Sequence, residues 1–161
     1  MSTLDVCKFG GTSVADAEQI EKVRRIVADG AARRVVVVSA PGKGPGDTHK
    51  VTDHLFNVAT DGETLRDERP AVSAQESREA VLGKFTALVE GLGVDGADLL
   101  AGLRGDLDTE HAGDARVAFL ASRGEHYNAR LVARYFAQQG MDARVDLPED
   151  FGFVVDAPLL D

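Results

Sequence analysis

Val35-Val36-Val37-Val38 is a run of four β-branched residues without a polar interruption. Two heavy atoms on each Cβ crowd the preceding turn of a helix, so the run favours a strand. A continuous apolar run is the pattern of a strand buried on both faces, as in a parallel sheet. A second apolar stretch, Val6 to Phe9, reads as an earlier strand. Between them, Ile20, Val23, Ile26 and Val27 recur at helical spacing. Asp16 is placed to cap that helix, with Gln19 as its capping-box partner, and Gly30 is placed to stop it. Strand, helix and strand in so short a span make a βαβ unit with a right-handed crossover. The expected fold class is α/β.

The segment Ala40 to Lys50 holds Pro41, Gly42, Gly44, Pro45 and Gly46, and reads as a loop at the carboxyl end of the second strand. Ligands of open α/β sheets bind at that edge. Helical patterns resume at Val51 to Ala59, and Thr60 to Pro70 is polar and turn-like. Val81, Phe85, Leu88, Val89 and Leu92 mark one face of a long amphipathic helix. Asp95 to Arg104 reads as a shorter helix and Gly105 to Gly113 as a charged connector. Asp114 to Ser122 and His126 to Gln139 are expected to be helical, and Ala143 to Asp146 and Phe151 to Val155 to be strands. The last of these would leave an open sheet edge, with no closing helix after it, so the sequence reads as interrupted.

A chain of 161 residues fits one domain. Its net charge of −9, from 27 acidic and 18 basic side chains, disfavours nucleic acid or an anionic membrane as the main partner. No apolar run approaches the roughly 18 residues that span a bilayer. The N-terminus lacks the basic and apolar regions of a signal peptide. Cys7 is the only cysteine, so no intramolecular disulfide can form; it is expected to be buried and inert. A soluble cytoplasmic protein is the expectation.

Local cationic chemistry is still available. Lys8-Phe9-Gly10-Gly11-Thr12-Ser13 ends the first strand in a lysine, then offers two glycines and two hydroxyls. Glycines let backbone N–H groups approach phosphate oxygens, the hydroxyls add donors, and the lysine adds a mobile positive charge. The lysine precedes the glycines, so this is not a Walker A loop. An ordinary Gly-Gly turn fits the segment equally well. Ser39, in Val38-Ser39-Ala40-Pro41-Gly42-Lys43, either terminates its strand or donates to a carboxylate or phosphate. Thr52 or Asp53, in Lys50-Val51-Thr52-Asp53, serves as a helix N-cap or, for Thr52, as a substrate contact. Ser122-Arg123-Gly124-Glu125 lies between two helical patterns; Glu125 either offsets a helix dipole or binds an ammonium group, and Arg123 pairs with it or faces solvent. The four histidines show no metal-ligand spacing and read as solvated or structural. The run Asp106, Asp108, Glu110 and Asp114 reads as a solvated connector, since the EF-hand ligand order is missing.

In this order, the segments Lys8 to Val14, Val38 to Lys43, Lys50 to Asp53 and Ser122 to Glu125 resemble aspartate kinases of the amino-acid kinase family. The resemblance implies a three-layer αβα sandwich, incomplete at its C-terminal half. Residues 1–161 would form the N-terminal, amino-acid-binding part of that domain, without the nucleotide-binding half and the ACT domains. It implies transfer of the γ-phosphoryl group of ATP, with Mg2+, to the β-carboxylate of L-aspartate, giving 4-phospho-L-aspartate on the way to lysine, threonine and methionine. Lys8 would stabilise the transferring phosphoryl group, and Gly10, Gly11, Thr12 and Ser13 would form the phosphate loop. Ser39 and Thr52 would line the aspartate pocket, and Glu125 would hold the substrate ammonium. A chain carrying half of the site is expected to bind its ligands weakly, and to self-associate or take up a partner supplying the C-terminal half. A non-catalytic scaffold of the same descent and a kinase for a different acceptor are the competing expectations.

Overall fold

The computed structural model describes residues 4–152. Strands β1 (Asp5–Phe9) and β2 (Arg33–Val38) pair in parallel, with Lys8 opposite Val37 and Phe9 opposite Val38. Helix α1 (Ala17–Ala28) makes the crossover. The Asp16 side chain accepts from the Gln19 N–H at 2.8 Å, as the sequence predicts, and α1 stops two residues before Gly30. Ile20, Val23 and Val27 are buried, while Ile26 points outward.

Among the described residues, the sheet is covered on one face only. Phe9, Val36 and Val38 pack against the core, whereas Leu4, Val6, Val35 and Val37 are exposed, Val6 to 64% and Val37 to 47%. The expectation that the valine run is buried on both faces is therefore wrong. A β-branched run specifies extended backbone, but says nothing of what lies across each face. Lys8 alternates onto the same open side as Val6. Cys7, expected to be buried, is half-buried.

Five further helices build the layer under the sheet: α2 (Val51–Ala59), α3 (Ala74–Leu92), α4 (Ala97–Leu107), α5 (Gly113–Ala121) and α6 (Arg123–Gln138). Helix α3 starts in a reciprocal cap, Ser73 N–H to Glu76 Oε2 at 2.8 Å and Glu76 N–H to Ser73 Oγ at 3.1 Å. It ends at Gly93 in the left-handed region, φ 62°, where glycine meets no Cβ penalty. Its Val81, Phe85, Leu88 and Leu92 meet Leu55 of α2, Leu103 and Leu107 of α4, and Leu131 of α6 in one core. Tyr135 of α6 donates to Glu21 of α1 at 2.7 Å, tying the two helices that flank the sheet. Arg24, Tyr135 and Arg25 together hold the Glu21 carboxyl far below the usual carboxylate range.

No strand forms at Ala143 to Asp146. The Ala143 N–H bonds locally to the Met141 carbonyl at 2.9 Å instead of joining a ladder. A 3-10 turn, Pro148–Phe151, ends on the first residue of the next expected strand, and residues 153–155 of that strand lie outside the described residues.

Candidate active site

Four segments meet beyond the carboxyl ends of β1 and β2. The first is the turn after β1. Gly10 is extended (φ −75°, ψ 170°), and Gly11–Val14 forms a 3-10 turn closed by Ser13 N–H to the Gly10 carbonyl at 2.9 Å. Val14 and Ala15 bury themselves beneath it. The N–H groups that open such a turn have no partner inside it.

The second is the loop after β2. Ser39 N–H bonds the Phe9 carbonyl at 3.1 Å, carrying the strand pairing one residue further. Gly42 N–H then bonds the Gly11 carbonyl at 2.8 Å. A Cβ on Gly42 would lie 2.5 Å from the Gly11 carbonyl carbon, so only glycine permits this approach. Further along, Asp47 Oδ2 accepts from Gly44 N–H at 2.7 Å and from Lys84 Nζ of α3 at 2.6 Å. Burial pushes the Asp47 carboxyl up, but Lys84 and the Gly44 N–H outweigh it, and the group stays below its ordinary range.

The third is the start of α2. Its N-cap is Lys50, not Thr52 or Asp53. Asp53 caps from inside the first turn, its Oδ2 accepting the Lys50 N–H at 2.9 Å. Thr52 therefore has no N-cap duty, while Val51 anchors the turn in the core.

The fourth is the start of α6. The segment expected between two helices is itself helical: α5 ends at Ala121, Ser122 is the joint, and Arg123 to Glu125 form the first turn of α6. A carboxylate at Glu125 faces the favourable end of the helix dipole. Gly124 is buried, and a Cβ there would lie 2.6 Å from Ala40 Cβ and 3.4 Å from Leu55 Cδ1. Its missing side chain lets α6 abut the tip of β2. Arg123 does not pair with Glu125. It bonds Asp106 at 3.0 Å, where Tyr127 OH also donates at 2.9 Å, and its guanidinium lies 4.3 Å from the centre of the Phe119 ring. Asp106 thus belongs to the helix packing, and Asp108 pairs with Arg78, so the acidic run is not merely a solvated connector.

These segments line an open cavity of about 350 Å³. Gly11 and Thr12 line it from the first, Ser39 from the second, Thr52 from the third and Glu125 from the fourth. Five residues singled out in the sequence, far apart along the chain, thus share one space. Lys8, Gly10 and Ser13 do not line it. Lys8 is exposed on the open sheet face, with Nζ 3.9 Å from where a Gly10 Cβ would stand, beside the turn that follows β1. Sequence reasoning assigned no role to Lys43 and Lys50, which also line the cavity. Their signal was the density of glycine and proline around them, which keeps that loop at the sheet edge. In a chain of net charge −9, two ammonium groups, three hydroxyls and one carboxylate line this space. That set suits a zwitterion with additional negative charge: carboxylate to the hydroxyls and lysines, ammonium to Glu125.

The histidines stand elsewhere. His54 is paired through Nδ1 with Ser77 Oγ at 3.0 Å, and its ring meets His49 edge-on at 5.5 Å. Both line a separate cleft of about 320 Å³ beside Asp47 and Lys84. Among the described residues no group of three or more His, Cys, Asp and Glu could hold a metal ion. No helix among them is long and apolar enough to cross a membrane.

Comparison with known proteins identifies the family. The profile of the amino acid kinase family matches residues 4–159. Aspartokinase 3 of Bacillus subtilis (strain 168) is 36% identical over 161 residues, which cover 96% of this chain and 34% of the relative. The crystal structure of Clostridium acetobutylicum aspartate kinase superposes with a TM-score of 0.66 at 28% identity, over 82% of this chain and 28% of that one. E. coli aspartokinase III in complex with lysine and aspartate has the same fold, with a TM-score of 0.64 at 24% identity over 88% of this chain and 30% of that one. The chain thus spans about a third of the length of the curated relative.

Proposed function

Since the chain belongs to the amino acid kinase family, we propose that it carries the acceptor side of an aspartate kinase. It would bind L-aspartate and the phosphates of ATP, and direct the γ-phosphoryl group to the β-carboxylate. The observation that carries this reading is the convergence of Ser39, Thr52 and Glu125, from three separate elements, on the cavity that also holds Gly11 and Thr12.

The chemistry makes few demands on the protein. A β-carboxylate with a pKa of roughly 4 is already ionised near neutral pH, so no general base is required. One carboxylate oxygen attacks the γ-phosphorus, the bond from that phosphorus to the bridging oxygen breaks, and ADP leaves with the electron pair. The product is 4-phospho-L-aspartate, with no net proton transfer. Positioning and charge stabilisation supply the catalysis. Glu125 holds the ammonium, and Ser39 and Thr52 orient the carboxylates. Gly10, Gly11, Thr12 and Ser13 present the phosphate-binding turn. Lys8, at its edge, meets the negative charge that develops on the transferring group. Lys43 and Lys50 draw the anionic reactants inward.

Mg2+ is the metal such a donor brings. The one carboxylate on the cavity wall is Glu125. The described residues offer no built metal site, so no step is assigned to the ion here.

The open sheet face belongs to the same proposal. Exposed Leu4, Val6, Val35 and Val37 surround Lys8 with apolar surface. The remaining part of a kinase domain would cover it and complete the nucleotide side, whereas a second copy of the chain would cover the apolar surface alone. Sedimentation velocity tests this: self-association, or capture of a supplied C-terminal half, is expected, and a stable monomer indifferent to both contradicts it. A lone cysteine and ATP as donor fit a cytoplasmic setting.

The enzymatic test is ADP release with L-aspartate, Mg2+ and ATP, with and without a supplied C-terminal half. Activity that depends on Lys8 is expected. A reconstituted protein with no activity, or one in which Lys8→Ala changes nothing, contradicts the proposal. A panel of amino-acid acceptors reads out whether aspartate is the right one.

A further inference from the structure

Asn128 lies on α6 one turn beyond Glu125 and is 0% exposed. Its Nδ2 donates to the backbone carbonyl of Ser39 at 2.6 Å, while its Oδ1 is buried without a partner. An amide whose oxygen has no partner in the interior is costly compared with an apolar side chain of similar size. Packing alone would be served better by such a side chain. The bond it does make has a specific consequence. With the Ser39 N–H engaged by Phe9 and the Ser39 carbonyl by Asn128, both backbone groups of Ser39 are fixed where the residue lines the cavity.

We propose that Asn128 is a positioning residue for the amino-acid acceptor. It locks the tip of β2 to the helix that carries Glu125. In doing so it sets the separation between the Ser39 hydroxyl and the Glu125 carboxylate, which receive the two ends of one acceptor molecule. The close contact of Gly124 with Ala40 holds the same two elements together from the other side of the turn. This inference rests on the acceptor-site reading above. It adds that affinity for the acceptor depends on a residue that never touches it.

The test is titration of L-aspartate into the full chain, followed by NMR, for the wild type, Asn128→Ala, Asn128→Asp and Val132→Ala. Val132 is buried in the core on the same helix, so its truncation controls for lost stability. Asn128→Ala is expected to weaken aspartate binding about tenfold, the scale of one lost hydrogen bond. Val132→Ala is expected to leave the affinity unchanged while lowering the melting temperature. In Asn128→Asp a carboxylate faces the Ser39 carbonyl. Its aspartate affinity should recover as pH falls toward about 5, where a protonated carboxyl can donate again. The wild type should lack that profile. Equal affinity in the folded Asn128 variants, or losses that track melting temperature in all three, overturns the positioning role. A wild-type chain that binds no aspartate overturns the acceptor-site reading itself.

Discussion

Gly42 gives its backbone N–H to the Gly11 carbonyl at 2.8 Å, and this bond clasps the two loops at the sheet edge backbone to backbone. A Cβ on Gly42 would sit 2.5 Å from the Gly11 carbonyl carbon and 2.7 Å from its oxygen. Gly42→Ala should therefore prise the loops apart. Overpacking of this kind costs roughly 1–3 kcal/mol, read by urea unfolding. The variant should also lose aspartate binding even where it remains folded, because Gly11 and Ser39 no longer face one cavity. Undiminished binding contradicts the clasp.

Gly83 provides the opposite case. It sits inside α3, and a Cβ there meets nothing within 4 Å. Gly83→Ala should stabilise the chain by about 0.5–1 kcal/mol, through backbone entropy alone. A drop in urea midpoint would show that α3 is packed differently from this account.

Asp106 holds both Arg123 and Tyr127 at the start of α6, and only 28% of its side chain is exposed. Asp106→Ala leaves the Tyr127 hydroxyl and Arg123 Nη1 without this acceptor, though Arg123 keeps the Phe119 carbonyl and Ser122 Oγ, at a cost of roughly 1–3 kcal/mol. Because the first turn of α6 carries Glu125, aspartate affinity should fall with it. A stability change with unaltered affinity would detach this cluster from the site.

Burial lowers His54 below its ordinary value of 6.5, aided by the charge on His49 and opposed by Asp53 and Asp47. As pH drops below 6.5, the unfolded chain takes up a proton that the folded chain resists. Stability is thus complete above 6.5 and is lost as pH falls toward the lowered folded value. Asp98, held down to about 2 by Arg134, acts later, its stability present above 3.8 and lost in stronger acid. Melting temperature should be level above neutrality and decline through the weakly acidic range. His54→Gln should remove that first decline, and an identical decline in the variant contradicts its assignment to His54.

Much of this arrangement was readable from the residues, and the failures share a cause. Signals that act over a few residues were reliable: the Asp16 cap, the span Val51–Ala59 and the apolar face of α3 all stand as expected. What depended on distant partners was not. The valine run could not reveal that one sheet face is open, and Ala143 to Asp146 found no ladder to join. Ser122 to Glu125 falls between the two helical patterns of the sequence, yet Arg123 to Glu125 form the first turn of α6. In the fold, Gly124 is small to admit Ala40, a reason invisible without the third dimension. Lys43, Lys50 and Asn128 reach the site, or its support, only through the loop path and the helix docking.

In the proposed site, one cavity binds L-aspartate through Ser39, Thr52 and Glu125. Neither Glu125 nor Thr52 is buried, so Glu125→Gln and Thr52→Val should shift stability by no more than about 0.5 kcal/mol. The most direct measurement is an amide NMR titration of the chain with L-aspartate, repeated on these two variants. Shifts should centre on Gly11, Thr12, Ser39, Thr52 and Glu125, with affinity reduced about tenfold or more in each variant. Absence of binding, shifts centred on the His49, His54 and Lys84 cleft, or affinity untouched by both substitutions would contradict it.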